Sequence, residues 1–479
     1  MNLEFVRPFL KYIPEIKLPK RHVAFKEKLI WTSVVLVLFF VMGNVRPIGV
    51  SAVDLGQYQQ FQIIFASNMG SIISVGIGPI VTASIVLQLL VGSKMLDIDL
   101  TNNEGKALFQ GTQKILTVLI SFFEATFIVM GFHLGEKLLG TAWAPTHPIV
   151  LSAIFQIALG SILLMYLDEI VSKWGIGSGI GLFIAAGVSV HIISGSLGIL
   201  GWIDPTRFKD QLGIIPSFIN NLLAGTDITV TLLLLFPLVA TIVVFLIAVY
   251  AESMRLEIPL SYGGVRGVGG RYPLKFFYVS NIPVILASAL IANVQMLPAV
   301  VGVNLQNPPP ASQMNPIQTA VITFTHFVTT RGAGHTLDSI LNPGNIGQLA
   351  NPIVILHLII YATVFLLLCV LFGKFWVETT GLGADRVAEQ IEQGGMQIPG
   401  FRRDKRVVER VLNRYIPQIT IISSLSVGML AVGADLLGAM GTGTGILLTV
   451  GILYRLYEEI QKEQMADMHP AFRKFMGKA

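Results

Sequence analysis

Apolar residues along this chain gather into ten blocks separated by short polar stretches, at 29–43, 72–92, 114–134, 148–167, 176–200, 228–251, 278–301, 352–376, 415–437 and 439–457. Stretches of about 20 apolar residues cross a bilayer as helices, which satisfy their own backbone hydrogen bonds in lipid. The pattern predicts an all-α integral membrane protein with ten transmembrane helices. Ten divides into five and five, and because five is odd the second half would start in the opposite direction from the first. Two inverted five-helix halves of this kind place a functional site at their interface, near the bilayer midplane.

One block departs from a plain span. Leu55–Ser93 holds 39 residues without a charge, yet it opens on the Gln-rich piece GQYQQFQIIFASN, Gly56–Asn68. At helical spacing Tyr58, Phe61, Ile64 and Phe65 share a face, with Gln57, Gln59, Gln60 and Gln62 mostly opposite. That piece is too short and polar to cross a bilayer, and it leads into the Gly/Pro-interrupted IISVGIGPIVTASIVLQLLVG. Irregular backbone at membrane depth is tolerated only where it is buried in protein or lines an aqueous cavity. The segment therefore points to a pore or pathway.

Composition agrees: 53% of the 479 residues are hydrophobic and 13% charged, with a net charge of +5. Soluble domains carry roughly 25% charged residues. Lys and Arg divide unevenly across the spans, 28 on the side of both termini and five on the other. That excess makes both termini cytoplasmic. No cleavable signal peptide is visible; residues 1–28 form a basic cytoplasmic segment with Phe5, Phe9 and Ile13 toward the membrane surface. Cys369, the single cysteine, lies in a span and excludes an intrachain disulfide framework.

Catalytic chemistry is scarce. The chain has no G-x-x-x-x-G-K-[ST], no H-E-x-x-H and no histidine pair at i and i+4, so no metal or cofactor is expected. Ser178 lies among glycines, but Ile176 breaks the nucleophile-elbow pattern. Glu124 is the acid well inside a span, and His191 and His357 are the candidate histidines. Glu124 reads either as a gating or proton-coupling site or as a hydrogen-bonded helix contact. The branched residues Ile77, Val81, Ile180 and Ile184 stand beside glycines. They read as ordinary helix packing or as an apolar constriction that seals by dewetting. The basic stretches 252–277 and 377–414 read as a solvated positive face or as a docking surface for an acidic or RNA-containing partner.

Long segments then carry a resemblance. GIGPIVTASIVLQLLVG, ALFQGTQK, YLDEIVSKWGIGSGIGLFIAAGVS, AESMRLEIPL, KFFYVSNIPVILASALIANVQ, FWVETTGLG and GTGILLTVGILYRLYEE occur in order across residues 10 to 470. Together they resemble the SecY-type protein-conducting channel, in its archaeal branch. The external loop 302–351 and parts of 201–227 lack clear family pattern.

The resemblance implies a first half at 29–200, an external hinge loop at 201–227, a second half at 228–457 and a cytoplasmic tail at 458–479. It implies a constriction ring of Ile77, Val81, Ile180, Ile184, Ile285 and Leu448, all branched aliphatics. The Gly56–Asn68 helix becomes a plug, and the span after it, Ile72–Gly92, a pore-and-gate helix. The lateral gate lies between spans two–three and seven–eight, with the polar cluster Thr82, Glu124 and Asn293. Docking falls on loops 252–277 and 377–414, through Arg255, Arg266, Arg271, Lys275, Arg402, Arg403 and Arg406. Lys106 departs from close relatives, which often carry Arg there, so the resemblance does not imply a bidentate contact at this position. The implied setting is a multi-pass protein of the cell (plasma) membrane. Its implied partners are a SecE-type subunit and a small third single-span subunit (a heterotrimer), the ribosome, nascent secretory and membrane chains, the signal recognition particle receptor and membrane lipids. No energy-coupling motif is present, so a partner must drive movement. The rivals are a secondary transporter with a five-plus-five repeat, whose midplane would need polar binding groups, and an intramembrane enzyme, which would need a nucleophile–base pair.

Overall fold

Several helix starts are written locally in the sequence. His147, Asp227 and Asn351 each accept the backbone N–H two residues on, at 3.3, 3.1 and 3.0 Å, and prolines 148 and 352 open the first turn after two of them. Such caps satisfy donors that a helix leaves open, and proline there forfeits no bond. The computed structural model describes residues 8, 14–21, 23–50, 59–92, 95–96, 103–131, 147–198, 213–262, 269–295, 297–301, 303, 314–332, 335–337, 339–393, 396–397 and 405–468.

The chain begins with α1 (Phe25–Asn44), the short α2 (Gln59–Ile64), α3 (Gly78–Gly92), α4 (Asn103–Gly131), α5 (Pro148–Trp174) and α6 (Gly179–Leu197). It continues through α7 (Ile214–Leu223), α8 (Ile228–Leu233), α9 (Phe236–Ser253), β1 (Arg255–Tyr262), β2 (Gly269–Lys275), α10 (Ile282–Val294), α11 (Leu297–Val300) and α12 (Pro316–Val328). Strands β3 (Arg331–Gly332) and β4 (His335–Thr336) and a 3₁₀ turn, Ile346–Ala350, lead to α13 (Pro352–Thr379), α14 (Ala384–Gln393), β5 (Met396–Gln397), α15 (Lys405–Leu436) and α16 (Gly443–Met468). The ten expected spans fall on α1, α3, α4, α5, α6, α8 with α9, α10 with α11, α13, α15 and α16. Among the described residues, six helical stretches are long and apolar enough to cross a membrane.

Three expectations are corrected. The expected Ile72–Gly92 helix starts only at Gly78. Before it, Gly76 takes a left-handed φ of 62°, and Ser71 and Ser74 bond to neighbouring backbone, which competes with helix formation. The seventh span breaks between α10 and α11. The two basic stretches are structured: β1 and β2 form an antiparallel hairpin from Arg255↔Lys275 to Ser261↔Gly269, and β5 joins β1 at Ser261↔Gln397. Helix α14 packs on α15, and Val387, Ala388 and Ile391 are buried with Val408 and Leu412.

The helices sort into two sets. In the first, α4 packs on α3 and α5, and α1 on α5; in the second, α13 packs on α10 and α15, and α16 on α9 and α15. Between the sets, α6 meets α16, while α3 meets α10 and α13. One buried apolar cluster runs through both, from Val35 and Phe39 of α1 to Leu448 and Val450 of α16. The apolar side chains left exposed, such as Val37, Leu119, Leu246 and Leu367, lie on the outer faces of spans and suit lipid contact.

Candidate functional site

The Gln-rich segment supplies α2, which packs against α6, α10 and α16 at the seam of the two sets. Ile64 and Phe65 from the expected face are buried, as are Ile63 and Ala66. Tyr58 lies outside the described residues, and Phe61 is in α2 without a described side chain. Glycine faces receive the segment: a side chain on Gly445 of α16 would come within 2.9 Å of Ile63, and one on Gly187 of α6 within 3.8 Å of Ala66. The end of the segment is tied back to the next span, because the Phe65 carbonyl accepts the Ile77 N–H at 2.8 Å.

Of the six expected ring residues, Ile77, Val81, Ile184 and Leu448 are buried, and Ile180 and Ile285 are partly buried against the same apolar cluster. They come from the start of α3, from α6, α10 and α16. These are the helices that meet at the seam, and three of them touch α2. No polar side chain belongs to this set, so it presents neither charge nor side-chain hydrogen bond.

Sequence reasoning missed what holds these helices in place. Asp168, near the end of α5, accepts the backbone N–H of Ile180 at 2.9 Å. Asp435, near the end of α15, accepts that of Gly443 at 2.6 Å. Each acid thus sits at the first turn of a following helix that carries ring residues, where the helix dipole favours negative charge. Asn281 donates to the Leu447 carbonyl at 2.8 Å and joins α10 to α16 beside Ile285 and Leu448. An acid near the end of one apolar block, ahead of the glycine-rich run GIGSGIG, was the available clue for Asp168.

The expected polar cluster is a hydrogen-bonded chain across three helices. Asn293 of α10 donates to Thr82 Oγ1 of α3 at 2.9 Å, and Thr82 donates to Glu124 Oε1 of α4 at 3.0 Å. Glu124 is buried, and its Oε2 has no hydrogen-bond partner among the described residues. The chain therefore joins the first set of helices to the second. His357 is fully buried and bonds to the Thr329 carbonyl at 2.7 Å, a packed histidine, while His191 is partly exposed near the end of α6.

Among the expected docking residues, Lys275 Nζ lies 3.1 Å from Glu458 Oε2 of α16 and over the Tyr454 ring. Arg255 reaches the same Glu458 at 3.7 Å. These two cations anchor the hairpin to α16. Arg271 lies on β2 opposite Pro259, and Arg406 is exposed on α15. Arg266, Arg402 and Arg403 lie outside the described residues. Among the described residues no group of three or more His, Cys, Asp or Glu is placed to hold a metal.

Known proteins are similar to this chain over nearly its whole length. The SecY family profile matches residues 71–457. A protein translocase subunit SecY of Methanothermobacter thermautotrophicus is 47% identical over 479 residues, covering 99% of both chains. A solved structure described as a protein conducting channel superposes with a TM-score of 0.78 at 42% identity, covering 97% of this chain and 99% of that one. Another, described as Sec61 in the canine ribosome–channel complex from the endoplasmic reticulum, gives a TM-score of 0.76 at 42% identity, with the same coverage. With a collinear match over most of its length, a ten-helix bundle and a capped apolar seam between two halves, the chain belongs to the SecY family.

Proposed function

We propose that this protein is the central pore-forming subunit of a protein translocase. It conducts unfolded secretory polypeptides across the membrane and releases transmembrane segments sideways into lipid. The observation that carries this reading is α2, seated on α6, α10 and α16 at the seam that gathers Ile77, Val81, Ile184 and Leu448. A gasket of branched aliphatic side chains closes around an extended chain of any sequence without binding it. The transporter rival requires polar groups at the same place, and these residues supply none.

In this reading α2 is the plug, and the gate opens where α3 and α4 face α10 and α13, with the Asn293–Thr82–Glu124 chain as its closed-state latch. A segment that samples lipid there gains ~0.3 to 0.6 kcal/mol for each central Leu or Ile, whereas each Asp or Lys costs ~2.5 to 3.5 kcal/mol. One charge offsets several leucines, so the gate has only to give access. The chain performs no catalytic step in this reading, and the push comes from a bound partner. The excess of Lys and Arg orients both termini to the cytoplasm of the cell membrane. The sheet of β2, β1 and β5, with Arg406, docks the ribosome, and Arg402 adds charge to that docking. Two single-span subunits, one SecE-type, complete the complex.

Cysteine crosslinking of a stalled secretory chain to positions 77, 81, 184 and 448 tests the pore. Crosslinks at these positions, with none at lipid-facing Leu246, are expected. Gradient-driven uptake of one small solute by purified protein in vesicles would overturn the reading in favour of a transporter.

A further inference from the structure

Gly78 is the first residue of α3, one residue after Ile77 and one turn before Thr82. A Cβ on it would lie 2.7 Å from Glu124 Oε2 and 3.6 Å from Cγ and Cδ1 of Phe65. The carboxylate of Glu124 thus rests on the bare backbone of α3. Thr82 holds one of its oxygens, while the other has no hydrogen-bond partner among the described residues. The absence of a side chain on Gly78 leaves the room that this second oxygen occupies.

We propose that Gly78 is a positioning residue of the lateral gate. By leaving room for Glu124, it sets the register of the Asn293–Thr82–Glu124 chain and with it the apolarity that a signal segment needs to open the gate. This rests on the gate reading of those three residues. Backbone strain is not the reason for glycine here, because Gly78 is absent from the positive-φ positions. Alanine is also the better helix former. Nor is contact with the plug the reason, since 3.6 Å from Phe65 is ordinary van der Waals distance. The distance that is too short is the one to Glu124, and it falls on the far end of a flexible side chain. Adding a methyl group therefore turns the carboxylate away from Thr82 instead of breaking the fold. The Thr82–Glu124 bond lies on one side of the gate, so its loss acts by freeing the Thr82 hydroxyl to turn away from Asn293, the bond that crosses the gate.

The test uses membrane vesicles carrying the full translocase and a passenger whose signal segments carry graded numbers of leucines. Gly78→Ala is compared with Glu124→Ala and the double variant, together with resting ion leak. Gly78→Ala is expected to raise translocation of the weakest segments about five-fold, the ratio one ordinary hydrogen bond carries, and to leave ion leak at the wild-type level. In the Glu124→Ala background it is expected to add nothing. If Glu124→Ala alone leaves the threshold unmoved, the gate reading falls and this proposal falls with it. If Glu124→Ala acts while Gly78→Ala is silent, or acts equally in both backgrounds, only the role of Gly78 is overturned. A rise in ion leak with Gly78→Ala also overturns it, since the methyl group would then be displacing the plug. Should Gly78→Ala fail to assemble, assembly of the double variant supports the clash with Glu124, and failure of both refutes it.

Discussion

Asp168 accepts the backbone N–H of Ile180 at 2.9 Å, so an acid at the end of one span fixes the first turn of the next, which carries Ile180 and Ile184. A side chain on Gly179 would come within 2.5 Å of the Asp168 Cα, which shows how closely the two helices approach. Asp168→Ala leaves that donor without its partner, at a cost of roughly 1 to 3 kcal/mol. Thermal unfolding of the purified protein is expected to fall accordingly, with a rise in resting ion leak as α6 shifts. Asp168→Asn keeps an acceptor oxygen and is expected to lose less on both measures.

Length and hydropathy made the ten-helix bundle legible, because lipid leaves the backbone few alternatives and each span repeats the same composition. The polar cluster was legible only through resemblance: Thr82, Glu124 and Asn293 are separated by up to 211 residues, and no spacing rule joins them. The late start of α3 was hidden because Ser71, Ser74 and Gly76 sit in an otherwise apolar run, and side-chain bonds to local backbone leave hydropathy unchanged. The β1–β2 hairpin was hidden for a different reason. Its charged ends, Arg255 and Lys275, look like a solvated loop until Glu458, 183 residues beyond Lys275, is seen to pair with both.

The stretch between plug and α3 is held from two sides. Asn68 donates to the Gly43 carbonyl at 2.8 Å, Ile72 to that of Val45 at 2.9 Å, and Ser161 to that of Gly76 at 2.9 Å. Gly160 of α5 lies against the Ile72 carbonyl, with no room for a Cβ. Gly160→Ala must push α5 off this stretch, and overpacking of this kind costs about 1 to 3 kcal/mol. Lower thermal stability and a leakier closed channel are expected. A variant as stable and as tight as wild type would show that the stretch yields freely.

Docking depends on cations left available to a partner, and Glu458 already engages Arg255 and Lys275. Charge reversal at Arg402 is expected to weaken ribosome binding at one fixed salt concentration, with helix content unchanged. Phosphate-directed binding is salt-dependent, so the comparison has meaning only at matched ionic strength. Glu458→Lys is expected to loosen the hairpin instead, read as faster hydrogen exchange along β1 and β2. Unchanged ribosome affinity in the Arg402 variant would remove that residue from the docking surface.

Lys173 ties the N-terminal segment to α5 through Glu15 at 3.0 Å and the Ile16 carbonyl. The hydrogen bond from Lys173, and then its charge, hold the Glu15 carboxyl below its ordinary value of 4.5. A carboxyl depressed on folding stabilises above its unfolded pKa and loses that contribution as pH falls through the folded value. Glu15 is largely exposed, so the effect is small and salt-screened. Proteolysis within residues 14–18 is expected to be constant from pH 5 to 8 and to increase below about pH 4. Glu15→Gln is expected to abolish that increase.

Ile184 is fully buried and Val81 nearly so, in the apolar cluster that also holds Ile63 and Ile64 of α2. A dry constriction resists ions because water and charge do not enter a narrow apolar passage, and one polar side chain there lowers that barrier. Ile184→Ser and Val81→Ser are therefore expected to conduct ions at rest and to admit passengers with weakened signals, measured by vesicle conductance and by translocation of graded signal segments. Both also remove buried aliphatic groups, so some stability is lost as well, ~1 to 3 kcal/mol. Ile184→Val, which shortens the side chain and keeps it apolar, separates the two effects. It is expected to destabilise slightly while the resting membrane stays tight. If the serine variants are also as tight as wild type, the seal lies elsewhere along the pore.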